Sequence, residues 1–196
     1  MADGQGRFQA GRHTAERRND WLMELLDWLK YILIAVLIGL LLVVFVIQRN
    51  SVIGPSMVPT LHQNDQLLVE KVSKWFHGIH YGDIVTVSTS DLPQHDDGPN
   101  IIKRVIGLPG DLIEIRDNAV YRNDERLEEP YLPEGTITRV RTLQYEKVRL
   151  AEDEYFVLGD NREVSLDSRS FGPVPLNSII GKVLLRFYPF DEIGKP

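Results

Sequence analysis

Two residues in this chain have side chains suited to covalent chemistry: Ser56, within Gly54-Pro55-Ser56-Met57-Val58-Pro59-Thr60, and Lys103, within Ile102-Lys103-Arg104-Val105-Ile106-Gly107. A serine and a lysine together cleave an amide without histidine or metal, provided the lysine is dry enough to lose its proton. Side chains alternate along the β-type run Asn100 to Ile106, so Lys103 shares a face with Ile101 and Val105. Burial on that face lowers a lysine pKa from about 10.4, and bringing it near 8 costs about 3 kcal/mol. Taken alone, an edge-strand lysine that snorkels to water is the simpler reading. Around Ser56, small residues between Pro55 and Pro59 let backbone N–H groups face a bound carbonyl. Met57, Pro59 and Leu61 are apolar enough to contact lipid as well as substrate, and by itself the stretch reads as a Pro-rich linker.

A third segment, Val157 to Arg169, leaves an apolar strand and becomes dense in hydrogen-bonding residues. Short polar side chains of this kind build rigid turns on their own backbone. Such a loop holds a lysine through a hydroxyl while Asp160 and Asp167 pair with arginines; an ordinary solvated Asp/Ser loop is the alternative.

The elements that must position these residues begin with an anchor. Tyr31 to Ile47 is uncharged and, with Trp28 and Leu29 before Lys30, approaches the roughly 20 residues needed to cross a bilayer. Arg7, Arg12, Arg17, Arg18 and Lys30 precede it, whereas only Arg49 follows before Lys71, so the positive-inside bias leaves the N-terminus cytoplasmic and the rest outside. A signal peptide has a shorter apolar core and a small-residue cleavage site, but here Gln48-Arg49-Asn50 follows; an uncleaved signal-anchor is expected, with a removed leader as the alternative. Residues 1–20 read as a flexible cytoplasmic tail, 21–48 as an interfacial segment and transmembrane helix, and 49–196 as the extracytoplasmic catalytic domain. Nine positions separate Ile47 from Ser56, which keeps the serine within roughly 30 Å of the bilayer edge.

Beyond the anchor the apolar runs are short and β-rich: Gln66 to Val72, Ile84 to Ser88, Ile101 to Ile106, Leu112 to Arg116, Ala119 to Arg122, Tyr155 to Leu158 and Ile179 to Tyr188. Asp117-Asn118 predicts a tight hairpin turn, since both residue types tolerate positive φ. Residues 127–147 carry Pro130, Pro133 and Gly135 among charges and predict a surface insertion. The fold class is mostly β: one N-terminal transmembrane helix followed by a β-rich catalytic domain.

Composition narrows the chemistry. No cysteine is present, so disulfides and thiolate chemistry are excluded. The net charge of −6 falls on the part beyond Ile47, where 17 basic residues face 23 acidic ones, which argues against nucleic acid as a partner. His13, His62, His77, His80 and His95 are scattered without a metal-ligand spacing, so neither metal nor cofactor is expected. Pro59 stands where a Ser-x-x-Lys motif needs lysine, and no Gly-x-Ser-x-Gly elbow occurs.

Four segments in order resemble the bacterial type I signal peptidase family, in its small, single-anchor, Gram-positive-like form. They are Gly54 to Leu61, Tyr81 to Val85, Lys103 to Asp111, and Gly159 to Arg162 with Ser165, Asp167, Ser168, Arg169 and Gly172. The resemblance implies a signal-peptidase-like catalytic domain in which Ser56 is the nucleophile and neutral Lys103 the general base. It implies that Ser165 hydrogen-bonds and orients the lysine, and that Asp160 with Arg104 and Asp167 with Arg169 brace the site. The oxyanion falls to the Ser56 backbone N–H; Gly54 stands where Gram-negative members carry a serine hydroxyl as second donor.

The implied substrate is the signal peptide of an exported preprotein, cut after Ala-x-Ala-type small residues at the cytoplasmic membrane. The peptide would lie along strand edges, with shallow pockets near Gly54, Ser56, Met57 and Ile84 to Val87. Membrane lipid is the other partner, and the chain is expected to work as a monomer. Rival readings are a Ser/Lys peptidase of narrower substrate range, of the pilus-processing or mitochondrial inner-membrane kind, and a catalytically dead, membrane-tethered β scaffold.

Overall fold

The computed structural model describes residues 13–76, 78–90, 92 and 100–196. It divides after Val44 into a helical unit and a β-rich unit.

The helical unit is built on α1, His13–Val46. The helix begins inside the stretch expected as a tail, and residues 1–12 lie outside the described residues. Every side chain from Trp21 to Leu41 is exposed, including Trp21, Trp28 and Tyr31. Among the described residues no helix is long and apolar enough to cross a membrane. The anchor was expected to run through Gln48, but the helix stops at Val46 and Ile47 already opens a strand. Tertiary pairing decides that boundary, because the Ile47–Ser51 backbone finds a partner strand while its local composition merely continues the apolar run.

The strands in chain order are β1 Ile47–Ser51, β2 Gln66–Glu70, β3 Ile84–Val87, β4 Ile101–Gly107, β5 Leu112–Arg116, β6 Ala119–Arg122, β7 Glu125–Arg126, β8 Lys147–Arg149, β9 Glu154–Leu158, β10 Val174–Pro175 and β11 Ile179–Tyr188. A one-turn helix, α2 Ser168–Phe171, precedes β10. Seven strands form one sheet in the order β1-β2-β11-β3-β4-β9-β10, and four form another in the order β7-β6-β5-β8. The hairpin expected at Asp117-Asn118 joins β5 to β6, with φ of 49° and 59° at the two turn residues. The larger sheet curls, since Asn50 on β1 donates from Nδ2 to Thr86 Oγ1 on β3 at 3.0 Å although two strands separate them in the sheet order.

Three apolar clusters hold these layers. Val52, Met57, Leu61, Leu67, Val69, Ile84, Ile102 and Val183 form the one that includes the residues flanking Ser56. On β9, Tyr155 and Val157 enter a second cluster while Phe156 and Leu158 enter the third, so this strand is buried on both faces. That is why it reads as an unbroken apolar run rather than an alternating one. Leu127, Tyr131 and Val140, from the expected surface insertion, pack against the third cluster, and Thr138 is buried.

Candidate active site

The Ser56 turn is fastened from below. Met57 and Leu61 are buried in the core, and the Leu61 N–H donates to the Met57 carbonyl at 2.9 Å. Contact of Met57 and Leu61 with lipid was expected from their apolar character; both are instead committed to packing, where burying such a side chain contributes about 1.5–3 kcal/mol. The Asn161 N–H donates to the Ser56 carbonyl at 3.0 Å, tying the turn to the 159–169 loop.

Lys103 lies on β4, between β3 and β9 in the sheet. It is 2% exposed. Its Nζ donates to Ser56 Oγ at 2.9 Å and to the Ile102 carbonyl at 3.0 Å. Burial pushes its pKa from 10.5 down to about 8, against the opposing pull of the Asp167 and Asp160 carboxylates, while the Arg169 guanidinium adds to the lowering. The snorkelling alternative fails here because the side chain is buried and its amine is held by Ser56 and Ile102 rather than by bulk water.

Register explains the next contact. Arg104 pairs with Leu158 across β4 and β9, so Asp160, two residues further along, emerges beside the guanidinium. Arg104 donates to Asp160 through Nε at 2.9 Å and Nη2 at 2.7 Å, and its Nη1 donates to the Gly82 carbonyl at 2.8 Å. Asp167 and Arg169 also pair bidentately, at 2.8 Å in both bonds, and the Asp167 side chain caps α2 by accepting the Arg169 N–H. All four side chains are buried, and both pairs join the residues expected.

Other members of the bracing network were not singled out from sequence. The Thr60 hydroxyl donates to Asp160 at 2.5 Å. Arg162, itself buried, is gripped by Glu129 at 2.5 and 3.0 Å and donates to Thr138 at 2.6 Å and to the Gly159 carbonyl at 3.1 Å. The Tyr131 ring lies 4.0 Å from the Arg104 guanidinium, and its hydroxyl donates to Glu129. Arg162 was visible within the fourth motif, but its partner Glu129 sits 33 residues away among ordinary surface charges, with no local signal. Gly159 is required by space: a Cβ there would strike the Ser165 side chain and come within 2.5 Å of the Ser56 carbonyl.

Ser165 departs from expectation. It is buried, and its N–H donates to the Asn161 carbonyl at 3.0 Å, but its hydroxyl has no hydrogen-bond partner. The lysine's bonds go to Ser56 and Ile102 instead, so orientation of Lys103 through the Ser165 hydroxyl is not part of this arrangement. The Ser165 side chain lies against Gly159, beside the Ser56 carbonyl.

Gly54 has φ of +82°, and a Cβ there would meet nothing within 4 Å. Glycine at this position therefore answers a backbone requirement rather than a lack of room. Among the described residues no backbone carbonyl takes the Ser56 N–H, which leaves that donor free for an oxyanion.

Beside the pair, Val52, Ile53, Met57 and residues 100–103 line a cleft of about 70 Å³ that includes Ser56. Ile84 to Val87, expected to help form substrate pockets, are all buried and absent from its wall, with Ile84, Val85 and Val87 committed to the apolar clusters on the faces of the sheet. Of the histidines, His62 and His80 are exposed, while His77 and His95 lie outside the described residues. His62, Asp65 and Glu192 bring ligand atoms within 4.8 Å of one another. Arg186 already meets both carboxylates, at 3.0 and 2.7 Å, so the positive charge there is a guanidinium.

A buried lysine on a serine hydroxyl, within a curled antiparallel sheet, is an arrangement suited to amide hydrolysis. The family described as signal peptidase, peptidase S26, matches residues 25–188. The chain is 35% identical over 188 residues to signal peptidase I of Bacillus licheniformis, covering 93% of this chain and 98% of that protein. It is 40% identical over 169 residues to probable signal peptidase I-1 of Synechocystis, covering 84% and 83%. A solved signal peptidase I from Enterococcus faecalis V583 is 35% identical, covers 54% of this chain and 96% of that one, and has a TM-score of 0.44. The chain belongs to the signal peptidase family, peptidase S26, and its class is that of serine endopeptidases, hydrolases that remove signal peptides from preproteins.

Proposed function

We propose that this protein is a membrane-anchored signal peptidase that cuts exported preproteins with Ser56 as nucleophile and neutral Lys103 as general base. The observation that carries the proposal is the 2.9 Å bond between Lys103 Nζ and Ser56 Oγ, made by an amine that burial holds near pKa 8. In the neutral amine the sense of the bond reverses: the hydroxyl donates and Nζ accepts. Attack of Oγ on the scissile carbonyl then passes the hydroxyl proton to Nζ, and Nζ returns a proton to the departing amine. Water, activated by the same amine, releases the acyl group. The Ser56 N–H stabilises the oxyanion, a contribution of about 3 kcal/mol per donor in comparable sites.

The cleft of about 70 Å³ favours a small side chain before the cut, consistent with Ala-x-Ala-type sites. Asp160 with Arg104 and Asp167 with Arg169 act as positioning pairs, and Ser165 contributes by packing. The exposed apolar surface from Trp21 to Leu41 supports a single-pass anchor, with the N-terminus cytoplasmic and the β-rich unit outside.

The test is cleavage of a preprotein reporter by full-length protein in detergent micelles. Ser56→Ala and Lys103→Ala are each expected to lose product while keeping the wild-type circular dichroism spectrum; full activity in either rejects the pair. A reporter that binds but is never cut by wild-type protein points to a scaffold, and cleavage of a single special substrate points to a narrow peptidase.

A further inference from the structure

We infer that the groove on the other side of Ser56 receives the residues that follow the cut, and that Arg139 and Arg141 make it select acidic side chains there. The inference rests on the Ser56 and Lys103 reading and adds a specificity to it. Two neighbouring clefts, of about 310 and 390 Å³, share Ile137, Arg162 and Glu163 on their walls. The first begins at Val58 and Pro59, two and three residues past Ser56, and at Asn161, whose N–H donates to the Ser56 carbonyl at 3.0 Å. The second is walled by Arg139 and Arg141.

Ser56 lines the small cleft, while the larger groove starts two residues beyond it, at Val58. The small cleft with Val52, Ile53 and Ile102 is mostly apolar and suits the short side chains before the scissile bond. An extended chain that fills it continues past the serine at about 3.3 Å per residue, so its next few residues enter the larger groove.

The charge there is distinctive. Asp160 is taken by Arg104, and Arg162 by Glu129. Arg139 and Arg141 are exposed, and among the described residues neither forms an ion pair. Arg141 is held in place by donating to the carbonyls of Glu163 and Arg162. Glu163 is the remaining carboxylate on the wall, leaving the groove with an excess of positive charge. Beyond Ile47 the chain carries 17 basic against 23 acidic residues, so an acidic segment is repelled by most of this surface and attracted here.

The experiment uses full-length protein in neutral detergent and reporters that share one signal peptide and cleavage site, differing only at the second to fifth residues after the cut: acidic, neutral or lysine-rich. Wild-type kcat/KM is expected to rank acidic over neutral over basic, with about a fivefold spread carried mainly by KM and collapsing in about 0.5 M salt. Arg139→Glu, and separately the Arg139→Glu, Arg141→Glu pair, should invert the ranking; near-ultraviolet circular dichroism checks the fold, and the ratio between reporters is independent of overall rate. In a second arm, fluorescence anisotropy of labelled acidic and basic reporters with Ser56→Ala protein should give the same order without any cleavage. Equal rates for all three wild-type reporters, or a ranking untouched by charge reversal, overturns the groove assignment. Discrimination in binding with no product from wild-type protein would keep the groove and overturn the catalytic pair.

Discussion

Val85 stands in register with two lysines at once: Lys103 on one side, through β4, and Lys182 on the other, through β11. Both occupy mid-strand positions in one sheet, yet their surroundings differ in what they offer a positive charge. Lys182 is given a carboxylate, Asp83, at 2.7 Å, and its side chain keeps 17% of its exposure. Lys103 is given a hydroxyl and a carbonyl and almost no solvent. A partnered ammonium supports the fold, whereas a desolvated one surrenders its proton and becomes a base. Identical side chains one strand apart on either side of β3 are thereby split into a structural cation and a chemical group.

The sharpest way to break that contrast is Lys103→Met. Activity is expected to fall at least about a thousandfold, the scale of losing a general base. Stability should move the other way. The folded pKa of about 8 lies below the unfolded value of 10.5, so below pH 8 the fold bears the full cost of burying the charge. That cost shrinks from pH 8 to 10.5 and vanishes above. Thermal melts of Lys103→Met should accordingly show a gain of up to about 3 kcal/mol at pH 7 that disappears by pH 11. A loss of stability at pH 7 would refute the desolvated amine.

Asp160→Asn is next in size. Removing the carboxylate leaves the Arg104 guanidinium buried without its partner, a loss of about 3 kcal/mol, read as a lower midpoint in urea. Lys182→Met provides the counter-case to Lys103→Met: it should destabilise at pH 7 by about 2 kcal/mol, since Asp83 loses its cation. Equal effects from the two methionine substitutions would erase the distinction between the lysines.

The smallest effect is a shift in pH profile. Wild-type kcat/KM should climb as pH passes through about 8, because only the neutral amine accepts a proton. The Asp167 carboxylate raises the Lys103 pKa and the Arg169 guanidinium lowers it. Asp167→Asn removes the larger of the two raising charges, leaving only Asp160 to oppose burial and Arg169, so the midpoint should move to lower pH. A midpoint shifted upward would count against these two groups as the tuning charges.

Much of the scaffold was legible because it is written in short-range pattern. The strands from Gln66, Ile84, Ile101, Leu112, Ala119 and Ile179 follow from β-rich runs, and the β5–β6 turn follows from the tolerance of Asp117 and Asn118 for positive φ. β7, β8 and β10 were not seen, being only two, three and two residues long, too short for any periodicity to register. The pairs Arg104–Asp160 and Arg169–Asp167 came from motif resemblance rather than from spacing. Glu129 escaped notice, and Thr60, though inside the first motif, was given no role, because a glutamate or threonine carries no sign of its distant partner.

By itself, then, the sequence settled which residue types were present to make an amide-cleaving pair, the alternation that makes 101–107 a strand, and an acidic balance that argues against nucleic acid. Tertiary structure alone decided that Lys103 is dry, that its nitrogen rests on Ser56 rather than Ser165, and that Met57 and Leu61 face the core. The reason is physical: alternation is a property of neighbouring residues, whereas desolvation and the choice of hydrogen-bond partner arise only when segments 47 and more positions apart are packed together.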